Sequence, residues 1–280
     1  MLTEARAAAD GIGYRRHLAY SLTNEAQLRC TVGDDGAQVC AALAVKRSLE
    51  LGDPATASDA LHSWILARPR SGGSAARNWT RLVRLDLAQG RYGAAADGNA
   101  ERALALARTG HCRQARIVAE EASRMAGEMD LPRVLRRAAL ARLLAARPRS
   151  GSPDAGRVST LVEGLAALGA EEGLDEVDRA ELAMERWRLT KVASDRGAAV
   201  EAVRDAFEAE PSLRVRTWFE ELGEQPPSAA TVLPPPIGAG RLRAPRAQLD
   251  EALAAVELAV LGTRPRTGAR QAGARQPARA

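Results

Sequence analysis

Aromatic side chains make up only 3% of the 280 residues, and the chain holds just three cysteines, three histidines and two lysines, Lys46 and Lys191. With so few rings the core must be built from Leu, Val, Ala and the stems of Arg, which suits stacked helices better than a thick sheet sandwich. β-Branched residues are scattered, and no run alternates apolar with polar over more than a few positions, so strand signals are missing. No stretch approaches the roughly 18 consecutive apolar residues of a membrane span. The opening MLTEARAAADGIGYRRHLAY has no apolar centre of a secretory signal and reaches Arg15, Arg16 and His17 too soon. Cys30, Cys40 and Cys112 are odd in number and widely spaced. They point to a reducing cytoplasm and away from a disulfide framework, although Cys30 and Cys40 flank one turn and could approach across it.

Catalytic and metal-binding patterns are equally scarce. His17, His62 and His111 fall in no H-E-x-x-H pattern, and no C-x-x-C accompanies a second ligand pair. His111 and Cys112 are adjacent, but sequence neighbours on a helix point in different directions. There is no phosphate-binding G-x-x-x-x-G-K-[ST] and no G-x-S-x-G; SGGS at 71–74 reads as a flexible connection. Glu120-Glu121 and Asp175-Glu176 fall on polar helix faces, where solvation accounts for them. The sequence therefore predicts no enzyme, no cofactor and no metal.

What is present is repetition. Residues 66–72 read LARPRSG and 144–151 read LAARPRSG. Without a gap, residues 60–90 lie over 139–169 with 13 of 31 positions identical, including Leu82-Val83 over Leu161-Val162 and Gly90 over Gly169. A shared loop would not carry that register, so it reads as an internal duplication of about 79 residues. Breakers recur more finely, at VGDDG (32–36), LGDP (51–54), RPRSGG (68–73), QGR (89–91), TGH (109–111), MDLP (129–132), RPRSGSPD (147–154), ALGAEEG (167–173), ASDRG (193–197) and EAEPS (208–212). The mean step is about 20 residues, room for one helix and a short turn, so two steps make a hairpin and four make the duplication. The fold class predicted is all-α, an αα-hairpin repeat array.

Trp79, Leu82, Gly90, Tyr92 and Ala95 resemble the tetratricopeptide-repeat pattern, as do Ala103, Leu106, Gly110, Ala115, Ala119 and Ala122, and Ala199, Val203, Ala206 and Pro211 in a second helix. The matches overlap, so 93–108 is a second helix in one phase and a first helix in the other, and the step is longer than that family's ~34 residues, nearer HEAT-type repeats. The resemblance covers residues 14–222 and implies a solenoid with a concave binding face. The turns LGDP and QGR are also similar to repeat regions beside ATPase, DNA-binding or caspase-like domains of bacterial regulators.

The chain divides into a repeat domain at 1–222, a Pro/Gly-rich linker at 223–246 containing PPP, one amphipathic helix at 247–262 with Leu249, Leu253, Val256 and Val260 on a stripe, and a basic tail at 263–280. The helix is too short to stand alone and is expected to fold back as a cap. The final segment, 262–280, carries Arg264, Arg266, Arg270, Arg275 and Arg279 and no acid; five taken from the net +5 leaves the rest formally neutral. Its composition predicts disorder.

Two functions follow. The first is a cytoplasmic scaffold in a bacterial regulatory or signalling system, binding a peptide or protein segment on the concave face. The alternative is a nucleic-acid-associated regulator using the array with its Arg-rich tail, although no aromatics interleave with the arginines for base stacking. If 74–89 and 153–168 are the inner helices, Arg77, Arg81, Arg84, Arg157 and Glu163 line a basic groove suited to an acidic peptide.

Overall fold

A computed structural model describes residues 14–34, 36–66, 73–147, 155–227 and 245–262. These form twelve α-helices and no strand: α1 (Arg15–Thr31), α2 (Ala37–Glu50), α3 (Pro54–Leu66), α4 (Gly73–Ala88), α5 (Tyr92–Arg108), α6 (Cys112–Glu128), α7 (Pro132–Leu144), α8 (Ala155–Gly169), α9 (Glu176–Thr190), α10 (Ala193–Ala209), α11 (Leu213–Leu222) and α12 (Pro245–Leu261). The PRSG segments of both copies, most of the proline linker and the Arg-rich tail lie outside the described residues. No helix among the described residues is long and apolar enough to cross a membrane.

One turn device recurs. After α1, α2, α4, α5 and α6 a backbone N–H bonds back five residues, Asp34 to Arg29, Asp53 to Ser48, Arg91 to Asp86, His111 to Leu106 and Leu131 to Ala126, at 2.8–2.9 Å. That bond closes a helix when the preceding residue turns left-handed. Gly33, Gly52, Gly90 and Gly110 do so at φ between +67° and +78°, and Asp130 at +53°. Helix starts are marked as well. Asp53 accepts from Thr56 N at 3.1 Å ahead of Pro54, and Asp175 accepts from Asp178 N at 2.7 Å to cap α9.

Two breakers behave differently from their reading in the sequence. ASDRG at 193–197 is the first turn of α10, begun with Asp195 near its N-terminus; the break precedes it, where Lys191 takes φ +55°. Gly169 is the last residue of α8, and the left-handed residue comes later, at Gly173 with φ +76°. It therefore does not repeat the role of Gly90.

Each helix from α1 to α10 packs on its successor; α1 also meets α3, and α5 meets α7. Small residues permit this. Ala95, Ala96, Ala100 and Ala103 of α5, Ala115, Ala119, Ala122 and Ala126 of α6, and Ala138 and Ala141 of α7 are all buried in the central core. Trp79, Leu82 and Leu85 of α4 join a second cluster with α1, α2 and α3. A third cluster spans α9 to α11, with Phe207 edge-on to Phe219 at 5.6 Å. Helix α12 packs against α2, α3 and α4, burying Leu253 and Val256 in the second cluster. The chain also returns on itself. Arg216 of α11 donates to Val32 O in the α1–α2 turn at 3.4 Å, and a Cβ added to Gly33 would come within 2.5 Å of Pro211 O.

Candidate partner-binding cavity

Where α1, α3, α5, α7, α9 and the turn into α11 face one another, they enclose a cavity of about 330 Å³. Its wall is polar. Gln27 and Cys30 come from α1, His62 and Ser63 from α3, and Asp97 with Glu101 from α5. Arg133 and Arg137 of α7 have the same four-residue spacing as Asp97 and Glu101, which puts each pair on one helix face. Glu210, Ser212 and Arg214 complete the wall from the far end of the chain.

The basic groups around the cavity are held by acids. Arg137 pairs with Glu101, and Arg214 with Glu181 of α9, each from a neighbouring helix. Deeper in, Arg108 of α5 reaches Glu181 at 2.6 Å and Glu185 at 2.9 Å. Burial disfavours the Arg108 cation, but Glu185 and Glu181 outweigh it and hold it above the ordinary guanidinium range. This run of alternating charge ties α5, α7, α9 and α11 together across the inside of the fold.

Two titratable groups in the wall are kept neutral. Burial pushes the Cys30 thiol up to about 12, and its Sγ donates to Ser63 O at 3.4 Å, so it is a poor nucleophile. Burial also lowers His62 below the usual imidazole value, against the opposing pull of Asp97, Glu101 and Asp59. Its Nε2 lies 3.9 Å from Asp97 Oδ2, too far for a hydrogen bond, while its ring stands edge-on to Trp79 at 5.2 Å. All three cysteines are free thiols, and among the described residues no three His, Cys, Asp or Glu side chains converge as a metal site. His111 Nδ1 contacts Thr109 Oγ1 at 3.1 Å across the TGH turn.

None of the five site residues read from the sequence lines this cavity. Arg77, Arg81 and Arg84 are on α4, and Arg157 and Glu163 are on α8. The cavity belongs to the odd-numbered helices, the opposite phase to the one that makes 74–89 and 153–168 the inner elements. Arg81 is engaged by Glu257 of α12, at 2.7 Å and 2.9 Å, and so is occupied within the chain. Arg77, Arg84 and Arg157 are exposed, and Glu163 accepts from Ser159 Oγ at 2.9 Å. The residues that do converge, His62, Asp97, Glu101, Arg137 and Arg214, are spread over some 150 positions of sequence; the one local signal for them is the pair of acids and the pair of arginines at four-residue spacing.

No protein-family model matches the chain, and no curated protein is significantly similar to it. The chemistry of the cavity is therefore the basis for assigning it a role.

Proposed function

We propose that the chain is a binding module, a tetratricopeptide-like αα-hairpin array that takes a peptide or protein segment on the face formed by α1, α3, α5, α7 and α9. The observation that carries this reading is the polar cavity of about 330 Å³, walled by alternate helices instead of by one loop or hairpin. Stacked hairpins bury their apolar faces against neighbours and leave a continuous inner surface for a ligand. In support of an array, one turn device recurs after five helices. In support of the duplication, α3 to α6 run 13, 16, 17 and 17 residues, and α7 to α10 run 13, 15, 15 and 17 in the same order. The resemblance of the LGDP and QGR turns suggests a regulatory or signalling setting.

Selection of random displayed peptides against the full chain tests the module. Gln27 is exposed at the cavity wall, so Gln27→Trp narrows the cavity with little risk to the fold. The expected result is a set of peptides that bind the natural chain, lose binding to Gln27→Trp and keep it after deletion of 263–280. A selection yielding no cavity-dependent peptide sinks this reading. Binding that disappears with the tail and falls steeply with salt transfers the function to nucleic acid.

A further inference from the structure

We propose that α12 is a tethered occupant of a helix-docking groove on α2, α3 and α4, and that it leaves this groove as a unit while α1 to α11 stay folded. The vacated groove then takes an amphipathic helix of a partner protein, one that carries the pattern Leu-x-x-Val-Glu. No residue of α2, α4 or α12 lines the cavity described above, so this is a second surface and does not depend on the module reading.

The way α12 is held sets it apart from the other helices. It meets α2, α3 and α4 and places Leu253 and Val256 in the second core cluster at 1% and 0% exposure. The other fifteen of the seventeen buried residues described there come from α1 to α4, so this cluster is a core of its own that α12 covers. Val260 and Leu261 are only half-buried against it, and Glu251, Ala255 and Leu258 face solvent. The covalent tie is long. Twenty-two residues, 223–244, lie between α11 and α12, where three residues join α2 to α3, α4 to α5, α5 to α6 and α6 to α7. A chain of that length spans up to about 75 Å when extended, so it is the surface beneath α12 and not the connection that keeps the helix in place. Among the described residues that hold consists of two fully buried aliphatic side chains and one ion pair. Such an element belongs to the low-stability end of a fold, which opens first.

The present occupant shows what the groove selects. Leu253 and Val256 are three residues apart and share a face, and Glu257, the next residue, is buried with its carboxylate on the Arg81 guanidinium at 2.7 Å and 2.9 Å. When α12 leaves, that guanidinium is uncovered at the edge of an aliphatic surface. Arg77 and Arg84 are exposed on the same face of α4, four residues before Arg81 and three after it. This rim attracts an acid and repels a base. A helix with Lys or Arg in place of Glu257 would set like charges together at a buried position, whereas one with Glu completes the bidentate pair.

Fluorescence polarisation with a labelled peptide of residues 245–262 tests the groove on the full chain. The tether keeps α12 at an effective concentration on the order of mM, so the natural chain should bind the peptide weakly. Leu253→Asp and Glu257→Arg each weaken the chain's own helix and leave the groove unaltered. Both should bind the natural peptide at least about tenfold more tightly than the natural chain does. Adding Arg81→Glu to Leu253→Asp should weaken that binding at least about tenfold, and a peptide carrying Glu257→Arg should restore it. Hydrogen exchange on the natural chain reads the detachment without any variant: the amides of α12 should exchange together, at least about tenfold faster than those of α2 and α3. Exchange of α12 at the rate of α2 and α3 overturns the detachment. No gain in peptide binding by either variant overturns the groove, as does binding that ignores Arg81→Glu. Displacement of the peptide from Leu253→Asp by the natural chain as efficiently as by unlabelled peptide would make a second copy the occupant and overturn the outside partner.

Discussion

Arg81 on α4 and Glu257 on α12 meet through two bonds, Nε to Oε1 at 2.7 Å and Nη2 to Oε2 at 2.9 Å. The guanidinium fork matches the carboxylate, and Glu257 is buried, so neither charge is available to an outside partner. Together with Leu253 and Val256 the pair fixes a helix 176 positions away in sequence onto α2, α3 and α4.

Removing one partner strands the other. Arg81→Ala leaves the Glu257 carboxylate buried and uncompensated, a situation that costs about 3–5 kcal/mol when fully buried. Arg81 retains some exposure, so about 2–3 kcal/mol is expected from urea unfolding. Arg81→Ala combined with Glu257→Ala should recover part of that loss, as coupled partners do. Strict additivity would mean that the bond does not hold α12.

Asp86 makes stability depend on pH. Burial lifts its carboxyl to about 6; Arg91 pulls it down and Asp59 pushes it up. An acid whose folded value lies above its unfolded one favours folding when protonated, so stability should fall as pH rises from about 4 to about 6. Asp86→Asn imitates the protonated form. It should stabilise the protein by about 1–3 kcal/mol at pH 8 and by almost nothing at pH 4. Thermal melts of both proteins at the two values check this, and equal differences at both would refute the assignment.

Glu185 behaves conversely. Its side chain has no exposed surface and accepts from Arg108 Nε at 3.0 Å, Arg147 Nη2 at 2.9 Å and Arg188 Nη1 at 2.6 Å. Burial alone would raise its carboxyl, but Arg108, Arg188 and Arg147 outweigh that and hold it below the ordinary glutamate value. The stability it contributes is present above about pH 4.3 and is lost as pH falls through its lowered folded value. Glu185→Gln leaves three cations crowded together and should cost about 3–5 kcal/mol at pH 7. The variant should also show a flatter acid limb in stability against pH. A neutral effect would mean that the arginines separate freely.

The helices were largely legible because their ends are written locally. Gly90, Gly110 and the Asp53-Pro54 step announce turns in the residues themselves, and the stripe of Leu253 and Val256 identified α12. Lys191 escaped because a lysine carries no sign of left-handed backbone, whereas Gly197 nearby carries a false one. The cavity was illegible for a deeper reason. The duplication expected from the sequence would map odd helices onto odd and even onto even, so its register cannot say which set faces inward. Both sets are rich in alanine. The pairs that define the inside, Arg137 with Glu101 and Arg108 with Glu185, join residues 36 and 77 positions apart, and no periodicity specifies such a match.

The α1–α2 turn meets the approach to α11 at a contact that a single methyl group can probe. Gly33 and Gly52 occupy the same left-handed turn position, at φ +68° and +67°. Alanine at either bears the same backbone strain, about 1 kcal/mol. Their surroundings differ. A Cβ at Gly52 meets nothing within 4 Å, whereas one at Gly33 lies 2.5 Å from Pro211 O and presses on the Arg216 side chain. Since Pro211 O is backbone, Gly33→Ala must push the α1–α2 turn away from α11, and Gly52→Ala must not. Chemical denaturation should therefore show about 1 kcal/mol lost for Gly52→Ala and clearly more for Gly33→Ala. Cys30 reports the opening independently. In the closed fold its thiol is held un-ionised by burial and should react with a maleimide far more slowly than an unfolded control at pH 8. Gly33→Ala should accelerate that reaction several-fold and Gly52→Ala should leave it unchanged. Equal stability losses with equal labelling rates would show that the turn does not press on the approach to α11.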